Sequence, residues 1–290
     1  MPSKEKIITT LLTLEVEAGK AEHLSGVIRK NWGLEPVEIQ RPGDSRRIWL
    51  DLYFHEEAQA RLAGKVLGGA AGVRGALVKT YTPRDWELFY RRHFQRRPVG
   101  ERLEICPAWE SRSRRARKRK RILVNPGMSF GTGDHFTTHF CLEQIDHLLG
   151  ERKRGSFLDV GTGSGILAIA AARMGCPRVL AVDSDPECVV QTKNNLKLNR
   201  ICKGVQVRLM DLNESVLKGP FDVVCANLFS SLLLAQAPLL MAWTRHDLIL
   251  SGVREHEADA VADAMVSLGG REMARDGNGE WAGLVIRKSR

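Results

Sequence analysis

The sequence predicts an α/β protein: a Rossmann-like open sheet with helices on both faces, preceded by a small ferredoxin-like α+β domain. Three observations predict it. Residues 157–175, FLDVGTGSGILAIAAARMG, set a short apolar run before closely spaced glycines and then small and branched apolar residues, which reads as a buried strand, a tight turn and a buried helix. A second apolar run, VLAV at residues 179–182, ends in Asp183. Residues 1–80 alternate strand-like and helix-like patterns in the order β-α-β-β-α-β, the split ferredoxin-like arrangement.

Gly161, Gly163 and Gly165 recur at every second position, so the backbone can turn sharply and lie against a ligand with no Cβ in the way. Such a turn sits at the carboxyl edge of an α/β sheet, where ligands bind. About 22 residues after Gly161, the Asp183 carboxylate is placed to take the two hydroxyls of a ribose, which narrows the ligand to something nucleoside-like. A dinucleotide fold calls for G-x-G-x-x-G with pyrophosphate on the helix N-terminus. Here the spacing is G-x-G-x-G and Asp159 precedes it. A carboxylate there repels phosphate and suits the ammonium group of an amino acid. The expected cofactor is S-adenosylmethionine, with ribose on Asp183 and the methionine end over the turn from Gly161 to Gly165, Gly163 included.

The bulk numbers bound the rest. With 290 residues, 27% charged and 43% hydrophobic, the chain reads as an ordinary soluble globular protein of two domains or one large one. A net charge of +10 points to an acidic partner such as nucleic acid or a ribonucleoprotein. Six scattered cysteines with no C-x-x-C pair suggest neither a metal site nor a disulfide framework, and a reducing cytosol fits best. The first residues lack a signal-peptide core, and no apolar run is long enough to span a bilayer. The expectation is a cytoplasmic protein with no metal and no membrane contact.

Taken in order, strands are expected at residues 7–17, 36–40, 47–54 and 76–81, with helices at 21–30 and 56–67. This first domain carries no chemical constellation, so a recognition or packing role is expected. Residues 85–97, DWELFYRRHFQRR, place Trp86, Phe89, Tyr90 and Phe94 on one helical stripe. They read as a linker helix, within a linker at 81–98, whose aromatic face packs on the following domain; base stacking is the competing role. The run RSRRARKRKR, starting at Arg112 and ending at Arg121, is basic at eight of ten positions and flanked by short strands at 103–106 and 122–124. It must be a solvated loop or hairpin tip, serving solubility or acting as an electrostatic arm for RNA.

Residues 125–138, NPGMSFGTGDHFTT, combine glycines with Thr132, Thr137 and Thr138 and lead into a helix at 140–149. A segment so rich in donors, just upstream of the cofactor strand, is placed to fold over the methionine end of the cofactor. His135 within it is open to two readings, a general base or a structural histidine. Beyond Asp183, a helix at 186–199 and a strand at 205–209 lead to Asp211, which is open to bonding adenine or capping a helix. A strand at 221–225 runs into Asn227, which emerges at the cofactor's edge of the sheet. A buried helix at 232–241, a strand at 247–250, a turn at 251–253, a helix at 255–268 and a final strand at 280–287 complete the expected domain, residues 99–290.

Several of these segments together resemble one family. DWELFYRRHF with GERLEICPAWE, then NPGMSFGTGDHFTT, DVGTGSGILAIAAARMG, VCANLFSSLLLAQAPL and LSGVREHEADAV resemble successive motifs of PrmA, the class I methyltransferases of large-subunit ribosomal protein L11, from about residue 85 onward. The resemblance implies S-adenosylmethionine as cofactor, with contacts from Thr138, Gly161, Asp183 and Asn227. It also implies methyl transfer to amino groups of a ribosomal protein, gripped by the N-terminal domain. Asn125, Asp134 and Phe136 depart from the family pattern, and the Arg112 run is longer and more basic than the family's. Lysine methyltransferases of electron-transfer flavoprotein share the same core, and an RNA methyltransferase would use the basic run as its arm. Asn227 is followed by Leu228 and Phe229 rather than Pro-Pro-Tyr/Phe, which argues against a DNA-base enzyme.

Overall fold

The computed structural model describes residues 9–34, 36–39, 46–54, 56–81, 96–110, 119–124, 135–151, 154–213, 217 and 219–289. The chain divides into two compact units, Met1–His93 and Phe94–Arg290. The linker-helix stripe, most of the basic run and the donor-rich residues 125–134 lie outside the described residues.

The first unit comprises β1 (Thr9–Glu17), α1 (Ala18–Trp32), β2 (Val37–Ile39), β3 (Arg47–Phe54), α2 (Glu57–Gly68) and β4 (Val73–Tyr81). Its sheet has the order β2-β3-β1-β4 with every pair antiparallel, the ferredoxin-like arrangement. Period-two alternation puts Leu12, Leu14, Val16, Leu50, Leu52 and Phe54 on one face, where they bury against Leu24 and Ile28 of α1 and Ala60, Ala63 and Leu67 of α2. The opposite face carries Val37, Ile39, Tyr53 and Leu77, all exposed.

The second unit opens with β5 (Arg97–Val99), β6 (Leu103–Pro107) and β7 (Lys120–Val124). Arg97, expected in the linker helix, instead begins a strand. The basic run was expected to be a solvated loop or a hairpin tip; its last residues Lys120 and Arg121 instead open β7, and because β6 and β7 pair in parallel the two strands form no hairpin. Then follow α3 (Phe136–Glu151), β8 (Ser156–Val160), α4 (Ile166–Met174), β9 (Arg178–Asp183), α5 (Pro186–Leu198), β10 (Val205–Leu209) and β11 (Phe221–Asn227). The chain closes with α6 (Ser230–Ala235), α7 (Ala237–Trp243), β12 (Thr244–Arg254), α8 (Ala258–Ser267), β13 (Gly270–Gly277) and β14 (Trp281–Lys288).

The central sheet has the order β10-β9-β8-β11-β12-β14-β13, parallel from β10 to β12, with β14 running antiparallel to both neighbours. Its strand order reverses between β8 and β11, the switch point where open α/β sheets bind ligands. Alternate residues feed two cores. Phe157, Val223, Cys225, Ile249 and Val285 pack with α3, α4 and β5–β7 on one face. Leu158, Val160, Val224, Leu248 and Leu284 pack with α6, α7 and α8 on the other. Strands buried on both faces explain why the runs FLDV and FDVVCA read as continuous rather than alternating.

Three expectations change. The single helix at 232–241 is two, split at Gln236, because Pro238 enters the second helix near its start and has no N–H to bond back into the first. The turn at 251–253 is absorbed into β12, whose register shifts between Ser251 and Val253. The strand β13 carries no apolar alternation in GREMARDG and was not anticipated. Among the described residues no helix is long and apolar enough to cross a membrane, and no His, Cys, Asp and Glu cluster is arranged for a metal ion.

One side chain ties β5–β7 to the main sheet. Asn199, fully buried after α5, accepts from the Leu123 N–H at 2.8 Å and donates to the Leu123 carbonyl at 2.7 Å. It acts as a one-residue strand beside β7, and also donates to the Asn195 carbonyl at 2.9 Å. Asn199→Ala leaves two backbone groups of β7 without partners. At about 1 to 3 kcal/mol each, the variant should lose about 2 to 6 kcal/mol in a chemical denaturation experiment.

Candidate active site

The glycine turn is built from below. Gly161, Gly163 and Gly165 all have positive φ, at 71°, 52° and 81°. Gly161 and Thr162 donate their N–H groups to the Val182 carbonyl at 2.9 and 3.0 Å, which moors the turn to the end of β9. A Cβ on Gly161 would lie 2.4 Å from Leu228 Cδ2, so the turn needs glycine both for its backbone angle and for that contact. From α5, Thr192 donates to the Gly163 carbonyl at 2.9 Å and Asn195 to the Ser164 carbonyl at 2.7 Å.

Two carboxyl groups finish the turn. Asp183 at the tip of β9 accepts from Gly163 N at 2.8 Å through one oxygen and from Asp185 N at 3.0 Å through the other. Those bonds fix the carboxylate's direction and leave each oxygen a further acceptor position. Asp159 was expected to meet a cofactor ammonium group, and the structure places it elsewhere. It is fully buried, outside the cavity lining, with Oδ2 accepting from Thr162 Oγ1 at 2.7 Å and Ala168 N at 3.0 Å. Thr162 belongs to the turn and Ala168 to the first turn of α4, so Asp159 is drawn under both as a brace. Its Oδ1 has no partner among the described residues, and burial pushes its pKa up to about 7.

The turn floors a cavity of about 550 Å³ that brings together Thr138, Gly161, Gly163, Asp183 and Asn227. Asn227 ends β11, and its Nδ2 sits 3.5 Å from Thr138 Oγ1, at the outer limit of a hydrogen bond. Its Oδ1 is buried without a donor among the described residues. The loop carrying it is tightly set. Leu228 N donates to the Ser251 carbonyl at 3.0 Å. Gly252, at φ 82°, approaches so closely that a Cβ there would be 2.5 Å from the Leu228 carbonyl oxygen.

Residues that the sequence reading passed over complete the lining: Met210, Leu212, Cys188, Phe229, Leu232 and Trp281. Trp281 is the least foreseeable, since it arrives at the start of the last strand with no motif around it. It meets His135 edge-on, with ring centroids 5.1 Å apart, and Arg254 stacks over it at 4.1 Å. His135 Nδ1 lies 2.8 Å from the Thr137 hydroxyl, and burial lowers its pKa. The lowered pKa favours a neutral ring, and the Thr137 hydroxyl is one of its partners. Asp211 lines the cavity and accepts from Asn213 N at 2.8 Å and Asn213 Nδ2 at 3.0 Å, so it closes a turn.

A cofactor fit can be tested on these atoms. A cavity with an orphaned acceptor at Asn227, a Cβ-free floor at Gly161 and a fixed carboxylate with spare acceptor positions at Asp183 suits a ligand with hydrogen-bond donors at both ends. S-adenosylmethionine, with an ammonium group at one end and ribose hydroxyls toward the other, meets that description.

The buried Asp159 makes a pH prediction. Its folded pKa of about 7 lies above the ordinary 3.8, so its contribution to stability is full below about pH 4 and is lost as pH rises toward 7. The interval, at about 1.4 kcal/mol per pH unit, bounds that loss at about 4 kcal/mol. Asp159→Asn, which keeps an acceptor for Thr162 and Ala168, should flatten the difference: melting curves from pH 4 to 8 should show wild type losing stability relative to the variant across that window.

Comparison with known proteins agrees with this geometry. The family model for ribosomal protein L11 methyltransferase (PrmA) matches residues 12–289, so it takes in the N-terminal unit where the sequence motifs were silent. Curated relatives include the ribosomal protein L11 methyltransferase of Geobacter sulfurreducens, 38% identical over 76% of this chain and 71% of the relative. That of Myxococcus xanthus is 32% identical over 96% of this chain and 90% of the relative. A crystal structure of ribosomal protein L11 methylase from Lactobacillus delbrueckii subsp. bulgaricus superposes with a TM-score of 0.61 at 30% identity, covering 68% of this chain and 100% of that one. The chain belongs to the PrmA family of ribosomal protein L11 methyltransferases.

Proposed function

We infer that the protein transfers methyl groups from S-adenosylmethionine to amino groups of ribosomal protein L11, and that transfer takes place at the Asn227 end of the cavity. The observation that carries this placement is the buried Asn227 Oδ1 without a donor, in the same cavity as the Gly161 turn and Asp183. S-adenosylmethionine supplies a methyl group on a sulfonium. Asp183 offers its free acceptor positions to the ribose hydroxyls, and the backbone of Gly161 and Gly163 lies against the methionine end. Thr138 and Asn227 close the site from α3 and β11. Asn227 Oδ1 accepts an N–H from the incoming amine or from the cofactor's amino acid end.

A lysine amine must lose its proton before it can attack, which costs roughly 4 to 5 kcal/mol at pH 7 for a pKa of about 10.4. The apolar walls Leu228, Leu232 and Trp281 lower that cost by withdrawing water from the ammonium form. His135, held neutral by burial, adds no charge opposing the amine. The protein's contribution is positioning and desolvation, with no side chain required as a strong base.

Selection of one protein by such a core needs surfaces outside it. The first unit supplies one: its sheet face bearing Val37, Ile39, Tyr53 and Leu77 is the proposed grip on L11. The basic side supplies another, for ribosomal RNA. The run from Arg112 to Arg121 ends on β7, where Arg121 lies close enough to Arg173 that its charge adds to burial in lowering the Arg173 pKa. Arg173 donates to the Asn199 carbonyl at 2.6 Å, which holds that cation at the β7 junction.

Calorimetry should show Asp183→Ala binding S-adenosylmethionine about tenfold to a hundredfold more weakly, since it removes the ribose acceptors and the Gly163 clamp. Asn227→Ala should fold normally and turn over L11 about tenfold or more slowly at saturating cofactor; wild-type turnover would demote Asn227 to a packing residue. Replacing the basic residues of the Arg112 run by serine should leave methylation of free L11 intact. It should weaken binding to ribosomal particles by a margin that shrinks as salt rises, read by co-sedimentation.

A further inference from the structure

Phe229 is 73% exposed, the most exposed large apolar side chain among the described residues, and it lines the active-site cavity. Its backbone is far from loose. The Phe229 carbonyl accepts from Leu232 N at 3.0 Å and Leu233 N at 3.1 Å, as the residue before α6. On one side Leu228 is bonded to Ser251 and pressed on Gly252. On the other the Ser230 hydroxyl donates to the Glu257 carboxylate. A rigid frame therefore presents an aromatic ring to water at the rim of the site.

Apolar area of that size is unfavourable in water until something covers it, and its fixed frame means that covering it costs little ordering of the backbone. Phe229 and Asn227 line the same cavity, so one substrate group can cover the ring with an apolar part and meet the Asn227 acceptor with its end. Two residues of chain span at most about 7 Å. A lysine has the matching form, an amine at the end of a flexible four-carbon stem that lies along apolar surface.

Resting on the assignment of methyl transfer to this cavity, we propose that Phe229 determines substrate specificity. Its ring covers the methylene stem of the lysine whose amine meets Asn227, so that the site favours a side-chain amine on an apolar stem. The contact is made equally in the bound and reacting states, so its loss raises KM and leaves kcat unchanged.

The test uses the full-length enzyme with purified L11. Phe229→Ala should raise the KM for L11 about tenfold, equivalent to about 1.4 kcal/mol. kcat and the calorimetric Kd for S-adenosylmethionine should stay within about twofold, and Phe229→Leu should restore most of the KM. Site-resolved mass spectrometry should show the loss at lysine ε-amines. An unchanged KM overturns the proposal, as does a cofactor affinity that weakens in step with KM, which would make the ring part of the cofactor site. An equal loss at the N-terminal α-amine, which has no stem, overturns it as well. Failure of the wild-type enzyme to methylate L11 would instead sink the functional reading itself.

Discussion

The carboxyl edge of the central sheet depends on how five residues from Gly161 to Gly165 are held. Left to itself, a glycine-rich turn is the segment with most conformational entropy to lose. Here Asp159 pulls Thr162 and the start of α4 down from beneath, while Asp183 takes Gly163 N from the side. Thr192 and Asn195 fasten the carbonyls of Gly163 and Ser164. Because both carboxyl groups belong to neighbouring strands of one sheet, the turn inherits the rigidity of β8 and β9. The Leu228 side chain then seats on Gly161, which carries that rigidity across the switch point to the loop bearing Asn227.

That coupling explains why so much of the site was legible in the sequence. Strands that end at a shared edge deliver their last residues to one place, so Gly161, Asp183 and Asn227 can be assigned to a common site from strand order alone. Thr138 came from its family-like motif. Asp159 was misread for a related reason: adjacency to the glycines fixes its position in the chain, but the period of the strand decides which face it points to, and that face lies under the turn. Trp281 and Phe229 were not visible as lining residues. Their placement follows from the antiparallel return of β14 and from the packing of a short loop on Gly252, neither of which leaves a periodic signal.

The architecture beyond the site shows the same division. Apolar runs buried on both faces, such as FLDV and FDVVCA, announced their strands, and the helix boundaries fell close to the observed ones. The split between α6 and α7 rests on one proline. β13 lies at the edge of the sheet, exposed along most of its length, and so had no need of an apolar stripe.

Asn199 has a consequence for how such a protein changes over evolutionary time. Its two bonds to Leu123 moor β7 to α5, while β6 moors the other side of the same strand. The basic connection between β6 and β7 therefore begins and ends on anchored backbone. Lengthening such a connection adds only logarithmically to its entropic cost. Insertions and charge changes between those anchors can accumulate without disturbing the cofactor edge, which makes this connection a place where a new electrostatic partner can be acquired while the chemistry stays fixed.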